Sequence, residues 1–230
     1  MAELIAPRGV PRILESRAGI TLIETVVVLT IIGLVVGIGG TNLFSWLSAQ
    51  EIKTSARAVS NAFALARSEA MRTGEIHIVT FGLNSLTNAN DDIVIAADGT
   101  PATRDCSFAS SDIVHRISLE SSVAWGTTAG LAGNTAAPGD QGGASANIPL
   151  GSSFSLPSSS TPASWVAFEP DGIPRTFSSN GSACTSYGLP GEAVGAIYVT
   201  NGQRDYAVVL TALGTTRISV WREAISGWRT

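Results

Sequence analysis

Apolar and polar positions follow three different rhythms along this chain, and each rhythm predicts a different element. From Ile20 to Gly40 the sequence reads ITLIETVVVLTIIGLVVGIGG, with no charge after Glu24. About 20 apolar residues at 1.5 Å per residue suffice to cross a hydrocarbon layer of about 30 Å. A transmembrane helical half over 20–40 is therefore expected. From Leu47 the apolar positions Ile52, Ala56, Val59, Phe63, Ala66 and Ala70 recur at spacings of four and three. Glu51, Lys53, Arg57, Arg67, Glu69 and Arg72 stand between them, which predicts an amphipathic helical half over 41–74. Gly74 is placed to cap its C-terminus. A coiled-coil seam would show the same stripe, but the strand-rich sequence after it needs a helix to cover it.

After Gly74 the period shortens to two. Residues 75–82, 92–96, 112–119, 165–168, 194–200, 206–213 and 216–221 read as strands. Within 112–119, Ile113, His115, Ile117 and Leu119 share one face. Asn201-Gly202 is a hairpin signal, and Gly214 serves the next turn. The expectation is an α+β fold, a long N-terminal helix packed against antiparallel sheet, with residues 75–230 as the β-rich globular domain. Residues 126–164 are Gly, Ala, Ser, Thr and Pro with Asp140 as the only charge. So little apolar surface predicts a flexible surface insertion rather than a second domain.

Composition sharpens the first of these readings. Charged residues are 14% of the 230, against about 25% in ordinary soluble domains. Apolar residues reach 44% and the mean hydropathy is +0.26. Residues 1–19 carry Arg8, Arg12 and Arg17 against Glu3 and Glu15, a local charge of 3 − 2 = +1. Basic residues ahead of the span predict a cytoplasmic N-terminus, a single pass through the inner membrane and a periplasmic globular domain. A secretory signal would have a shorter apolar region closed by a small-residue cleavage site, and a plain anchor would leave Glu24 unexplained. A carboxylate near the bilayer centre costs about 2.5–3.5 kcal/mol, so Glu24 needs a cationic partner. Cutting the chain between Gly19 and Ile20 would create an amine one helical turn away. The same amine would be within reach of a neighbouring chain's Glu24 in a staggered stack.

Gly19-Ile20-Thr21-Leu22-Ile23-Glu24 resembles the prepilin signature of type IV pilins and type II secretion pseudopilins. The resemblance implies a type IV pilin-like fold, cleavage between Gly19 and Ile20 by a prepilin peptidase, and N-methylation of Ile20. It also implies a fibre with a core of packed helices, in which Glu24 is the assembly residue. Ile20 stands where Phe or Met is usual. Leu65-Ala66-Arg67-Ser68-Glu69-Ala70-Met71-Arg72-Thr73-Gly74, running into a strand, is similar to the GspH/FimT family of minor pseudopilins and minor pilins. This second resemblance implies a structural subunit and not an enzyme. It would be a minor pseudopilin of a type II secretion system, at or near the fibre tip, helping to initiate assembly. Its implied partners are other pseudopilins or pilins, the prepilin peptidase, an inner-membrane assembly platform, and membrane lipid before assembly. Two alternatives stay open. One is a minor pilin of a type IV pilus, in adhesion, twitching or DNA uptake. The other, from a different class, is a single-span periplasmic binding protein that uses the Gly/Ser-rich loop.

The remaining chemistry is sparse. Cys106 and Cys184 are an even pair in a turn-rich sequence, which predicts a disulfide closing 184 − 106 = 78 residues. The chain-entropy ceiling for such a loop is about 4–5 kcal/mol. His77 and His115 fall in separate strands and in no ligand motif. Asn88, Asn90, Asp91 and Asp92 lack the spacing of a calcium loop and read as a turn. No cofactor, metal or catalytic residue is expected. Some FimT-like minor pilins bind DNA through arginines near the C-terminus, where this chain has Arg217, Arg222 and Arg229. Removing residues 1–19 from a net charge of −4 leaves −4 − (+1) = −5, a background that argues against nucleic acid.

Overall fold

A computed structural model of the chain describes residues 19–81, 92–106, 110–157, 159–163, 165–179, 184–185 and 187–230. The chain divides into two compact units, the first ending at Phe44 and the second running from Ser45 to Thr230. Helix α1 spans Leu22–Thr73. Its last turn is closed by the Gly74 amide bonding to Ala70 O at 3.1 Å, with Gly74 in the left-handed region at φ +75°. Only glycine adopts that conformation at little cost, which makes it a natural helix stop.

Eleven strands follow among the described residues. They are β1 (His77–Thr80), β2 (Asp92–Ala97), β3 (Ile113–Ser118), β4 (Ala124–Trp125), β5 (Trp165–Phe168), β6 (Pro174–Ser179), β7 (Cys184–Thr185), β8 (Gly195–Thr200), β9 (Asp205–Leu210), β10 (Thr216–Arg222) and β11 (Gly227–Arg229). They form two antiparallel sheets, ordered β3-β2-β1-β5-β6-β7 and β11-β10-β9-β8-β4. The second half of α1 fills the space between the sheets. Ile52, Ala56, Val59, Phe63, Ala66 and Ala70 pack with Val79, Ile95, Val166 and Phe168 of the first sheet and with Ile197, Val199, Val208 and Leu210 of the second. Phe63 lies between Phe154 and Phe168, with ring centroids 6.2 and 6.3 Å away.

Each sheet is also covered on its outer face. Ile76, Ile78, Cys106, Ala167 and Phe177 form one small core there, and Ala132, Ala137, Ile148, Ala196, Tyr198, Ala207, Val209 and Trp228 form another. Burial on both faces leaves β1 buried along its whole length, His77 and Thr80 included, and makes β9 nearly unbroken apolar sequence after Asp205, while the edge strand β3 alternates.

Two expectations are corrected by this architecture. The type IV pilin-like α+β fold, one helix with a transmembrane half laid on a sheet, gives way to a mostly β domain of two sheets. Periodicity locates strands but carries no information on how they divide between sheets, and β4, β6, β7 and β11 had no clear period of their own. The inner-membrane single-pass location is corrected as well. Among the described residues no helix is long and apolar enough to cross a membrane. The helix begins at Leu22 rather than Ile20 and carries Glu24 in its first turn.

The 126–164 segment also differs from its composition. Ala132, Ala137, Ala144, Ile148, Phe154 and Ala163 are buried. Small residues let the backbone approach the second sheet closely: a Cβ on Gly195 would lie 2.7 Å from the Phe154 ring. The segment is short of large side chains because there is no room for them.

Candidate functional site

The residues singled out by the sequence fall in four places. At the N-terminal end, Gly19 and Ile20 are exposed and precede the helix. The Glu24 amide donates to Thr21 Oγ1 at 3.3 Å, and the Thr25 amide donates to Thr21 O at 3.2 Å. Thr21 is therefore the N-cap and Glu24 stands at the third helical position, where a carboxylate also favours the positive end of the helix dipole. Thr-x-x-Glu is the sequence pattern of a capping box, and that signal was present in the sequence beside the prepilin signature. From Thr25 to Val36 the helix carries no charge, and its apolar side chains are exposed on every side. Leu22 is 83% exposed, Leu34 63% and Val36 64%, and Val26, Val27, Val28, Leu29, Ile31 and Ile32 all exceed or approach half exposure. A helix that is apolar all round is normally buried, so this surface calls for a partner on every side. The prepilin leader, residues 1–18, lies outside the described residues.

The second place is the outer face of the first sheet. Cys106 is buried and disulfide-bonded. Its partner in the sequence, Cys184, opens β7, but the Cys184 side chain lies outside the described residues. The Cys106 amide donates to the Asp98 carboxylate at 3.1 Å, and the Asp105 amide donates to the same oxygen at 3.2 Å. Burial pushes the Asp98 carboxyl up to about 6, partly offset by those two amides. Nearby, Glu169 accepts from Arg104 and Arg175, each at 2.8 Å, and the Arg104 guanidinium lies 3.9 Å from the centroid of the Tyr187 ring. Burial, and then the Glu169 charge, push the Tyr187 phenol well above its usual range. These groups neutralise one another, and they tie the 98–106 loop to the β5–β6 turn.

The third place holds the histidines and the expected turn. His77 is buried on β1, its Nδ1 3.3 Å from Glu75 O, while His115 faces Ile95 across β3 and β2. Among the described residues no group of three or more His, Cys, Asp or Glu could hold a metal ion. Asn88, Asn90 and Asp91, and the Asp92 side chain, lie outside the described residues.

The fourth is the C-terminal strand pair. Arg217 and Arg222 are exposed on opposite faces of β10, and Arg229 pairs with Val220 across β11. No protein-family model, curated protein or solved structure matches this chain.

Proposed function

We propose that this chain is a structural subunit of a type II secretion pseudopilus, a minor pseudopilin that helps initiate the fibre. The observation that supports it best is the capped helix start at Thr21–Glu24, followed by a helical stretch to Val36 whose apolar side chains are open on all sides. Such a surface is stable when like helices surround it, as in the core of a fibre. Cleavage after Gly19 would put a positive amine at Ile20, next to a carboxylate that is otherwise isolated among apolar residues. Glu24 of one subunit would then neutralise the terminal amine of another as the helices pack. The partners on this reading are other pseudopilins, a prepilin peptidase and an assembly platform.

N-terminal sequencing of the purified chain, from cells with and without an active prepilin peptidase, tests the reading directly. Methylated Ile20 at the terminus, appearing only with the peptidase, is the expected result. A chain that still begins at Met1 in both would end the proposal. Glu24→Ala is expected to be processed normally and to be missing from the fibre.

A further inference from the structure

The two flanks of α1 in the Ser45–Thr230 unit carry opposite charge. Ser60 and Thr216 share a hydrogen bond at 2.6 Å, which sets the helix alongside β10. Lys53 and Arg57 lie four and three residues apart in line with Ser60, so all three occupy that flank. On β10, Ile218 packs toward the helix, and Val220 and Arg222 share its face. Arg229 stands directly opposite Val220 and joins them. Lys53, Arg57, Arg222 and Arg229 are all exposed, and none has an ion-pair partner among the described residues.

The other flank faces the segment after β3. Ser122 Oγ donates to the Glu51 carboxylate, and the Glu120 amide donates to Ser55 Oγ at 3.2 Å. Glu120 is exposed there. The surrounding sequence has the same polarity. Residues 74–125 hold seven acidic and two basic residues, 2 − 7 = −5, while residues 201–230 hold four basic and two acidic, 4 − 2 = +2.

We infer that two copies of this chain associate side by side, the cationic flank of one against the acidic flank of the next. Lys53, Arg57, Arg222 and Arg229 of one copy face Glu51 and Glu120 of its neighbour. Such a contact is heterologous, so each added copy leaves one flank of each sign free and the row can extend. It goes beyond the fibre reading, whose partners are other pseudopilins, and does not depend on cleavage at Gly19.

Lys53 is the only lysine in the sequence, which makes the contact addressable. The full, unprocessed chain is kept in mild detergent, as an equal mixture of ¹⁵N-labelled and unlabelled copies, and treated with a carbodiimide. Every amine–carboxylate cross-link must then use Lys53 or the terminal amine. Mixed-isotope peptides joining Lys53 to Glu51 or Glu120 are expected at low salt. They should fall at least tenfold in 0.5 M NaCl, where charges screen over a few ångströms. Arg222→Glu should abolish the Lys53–Glu51 peptide, and adding Glu120→Arg in the same chain should restore it. No mixed-isotope Lys53 peptide, or one joined to other carboxylates, overturns the inference. A salt-sensitive shift of duplex DNA in place of the cross-link also overturns it, and assigns the cationic flank to nucleic acid. An unprocessed N-terminus in cells would remove the secretion reading and leave this result untouched.

Discussion

The Asp140 carboxylate accepts hydrogen bonds from the Tyr198 hydroxyl and, at 2.7 Å, from Ser153 Oγ. The only charge between residues 126 and 164 is thus the point at which that segment is fastened to the second sheet. Burial, and then the Asp140 charge, push the Tyr198 phenol far above its usual range, so it stays a donor at any working pH. The Ala137 amide donates to the same hydroxyl at 3.0 Å, completing the network.

Tyr198→Phe should destabilise the chain by about 1–3 kcal/mol, since it leaves a buried amide and a carboxylate short of partners. Asp140→Asn keeps one acceptor and should cost less. Urea unfolding followed by tryptophan fluorescence reads both, because Trp228 packs 5.7 Å from the Tyr198 ring, centroid to centroid. Equal stability of Tyr198→Phe and the parent chain would show that the network contributes nothing.

Asp205 offers a parallel case. Its buried carboxylate accepts from the amides of Thr128 and Ala132, each at 3.0 Å, and so caps the 128–133 turn. Asp205→Ala should increase amide exchange at Thr128 and Ala132 well before it affects β9. Uniform loss of protection across the second sheet would instead mean that the turn and the sheet open together.

Asp98 should make stability depend on pH with an unusual sign. Its carboxyl is raised from 3.8 to about 6 in the folded chain, so the native state holds the proton more tightly than the unfolded one. The contribution is full below pH 4, declines as pH rises toward 6, and is absent above it. Asp98→Asn imitates the protonated form and removes this dependence. The parent should therefore lose stability relative to Asp98→Asn between pH 4 and 7, by on the order of 1–3 kcal/mol. Urea midpoints for both chains at four pH values measure the difference, and a constant gap would refute the assignment.

At the start of α1, Thr21→Val should fray the first turn by removing the cap, at a cost of about 1 kcal/mol to the local helix. Hydrogen exchange at Glu24 and Thr25, whose amides bond to Thr21, should rise several-fold while Ile52–Ala70 stays protected. Thr21→Ser, which keeps the oxygen, should restore the slow exchange.

Phe63→Ala tests the junction of the helix with both sheets. The ring is 1% exposed and sits between two other aromatic rings, so its removal should cost about 3–5 kcal/mol. A loss below about 1 kcal/mol would mean that the sheets close over the gap.

Much of the local structure was legible without coordinates. The four-and-three spacing from Ile52 to Ala70 marked the buried stripe, because a helix in contact with a core must repeat its apolar positions at that period. Alternation marked the strand at Ile113–Ser118, where one face is wet, and β-branched runs marked Ile93–Ala97 and Ala207–Leu210. Short strands such as Ala124–Trp125 and Gly227–Arg229 left no trace, since two or three residues cannot display a period. At the candidate assembly site, Gly19, Ile20 and Glu24 were named by the resemblance to the prepilin signature. The capping role of Thr21 was equally readable but was hidden behind the stronger motif.

By itself, then, the sequence determined where the amphipathic helix and the longer strands form, where the helix stops at Gly74, and which carboxylate stands alone among apolar residues. Those properties depend on neighbours within a few positions, and the order of side chains is enough to set them. Only the tertiary structure decided that the strands divide into two sheets with α1 between them. It also decided that residues 126–164 lie on the second sheet through Asp140 and Asp205, and that acidic and basic side chains sort to opposite flanks of one helix. Each of those outcomes depends on contacts between residues dozens of positions apart, which no local pattern records.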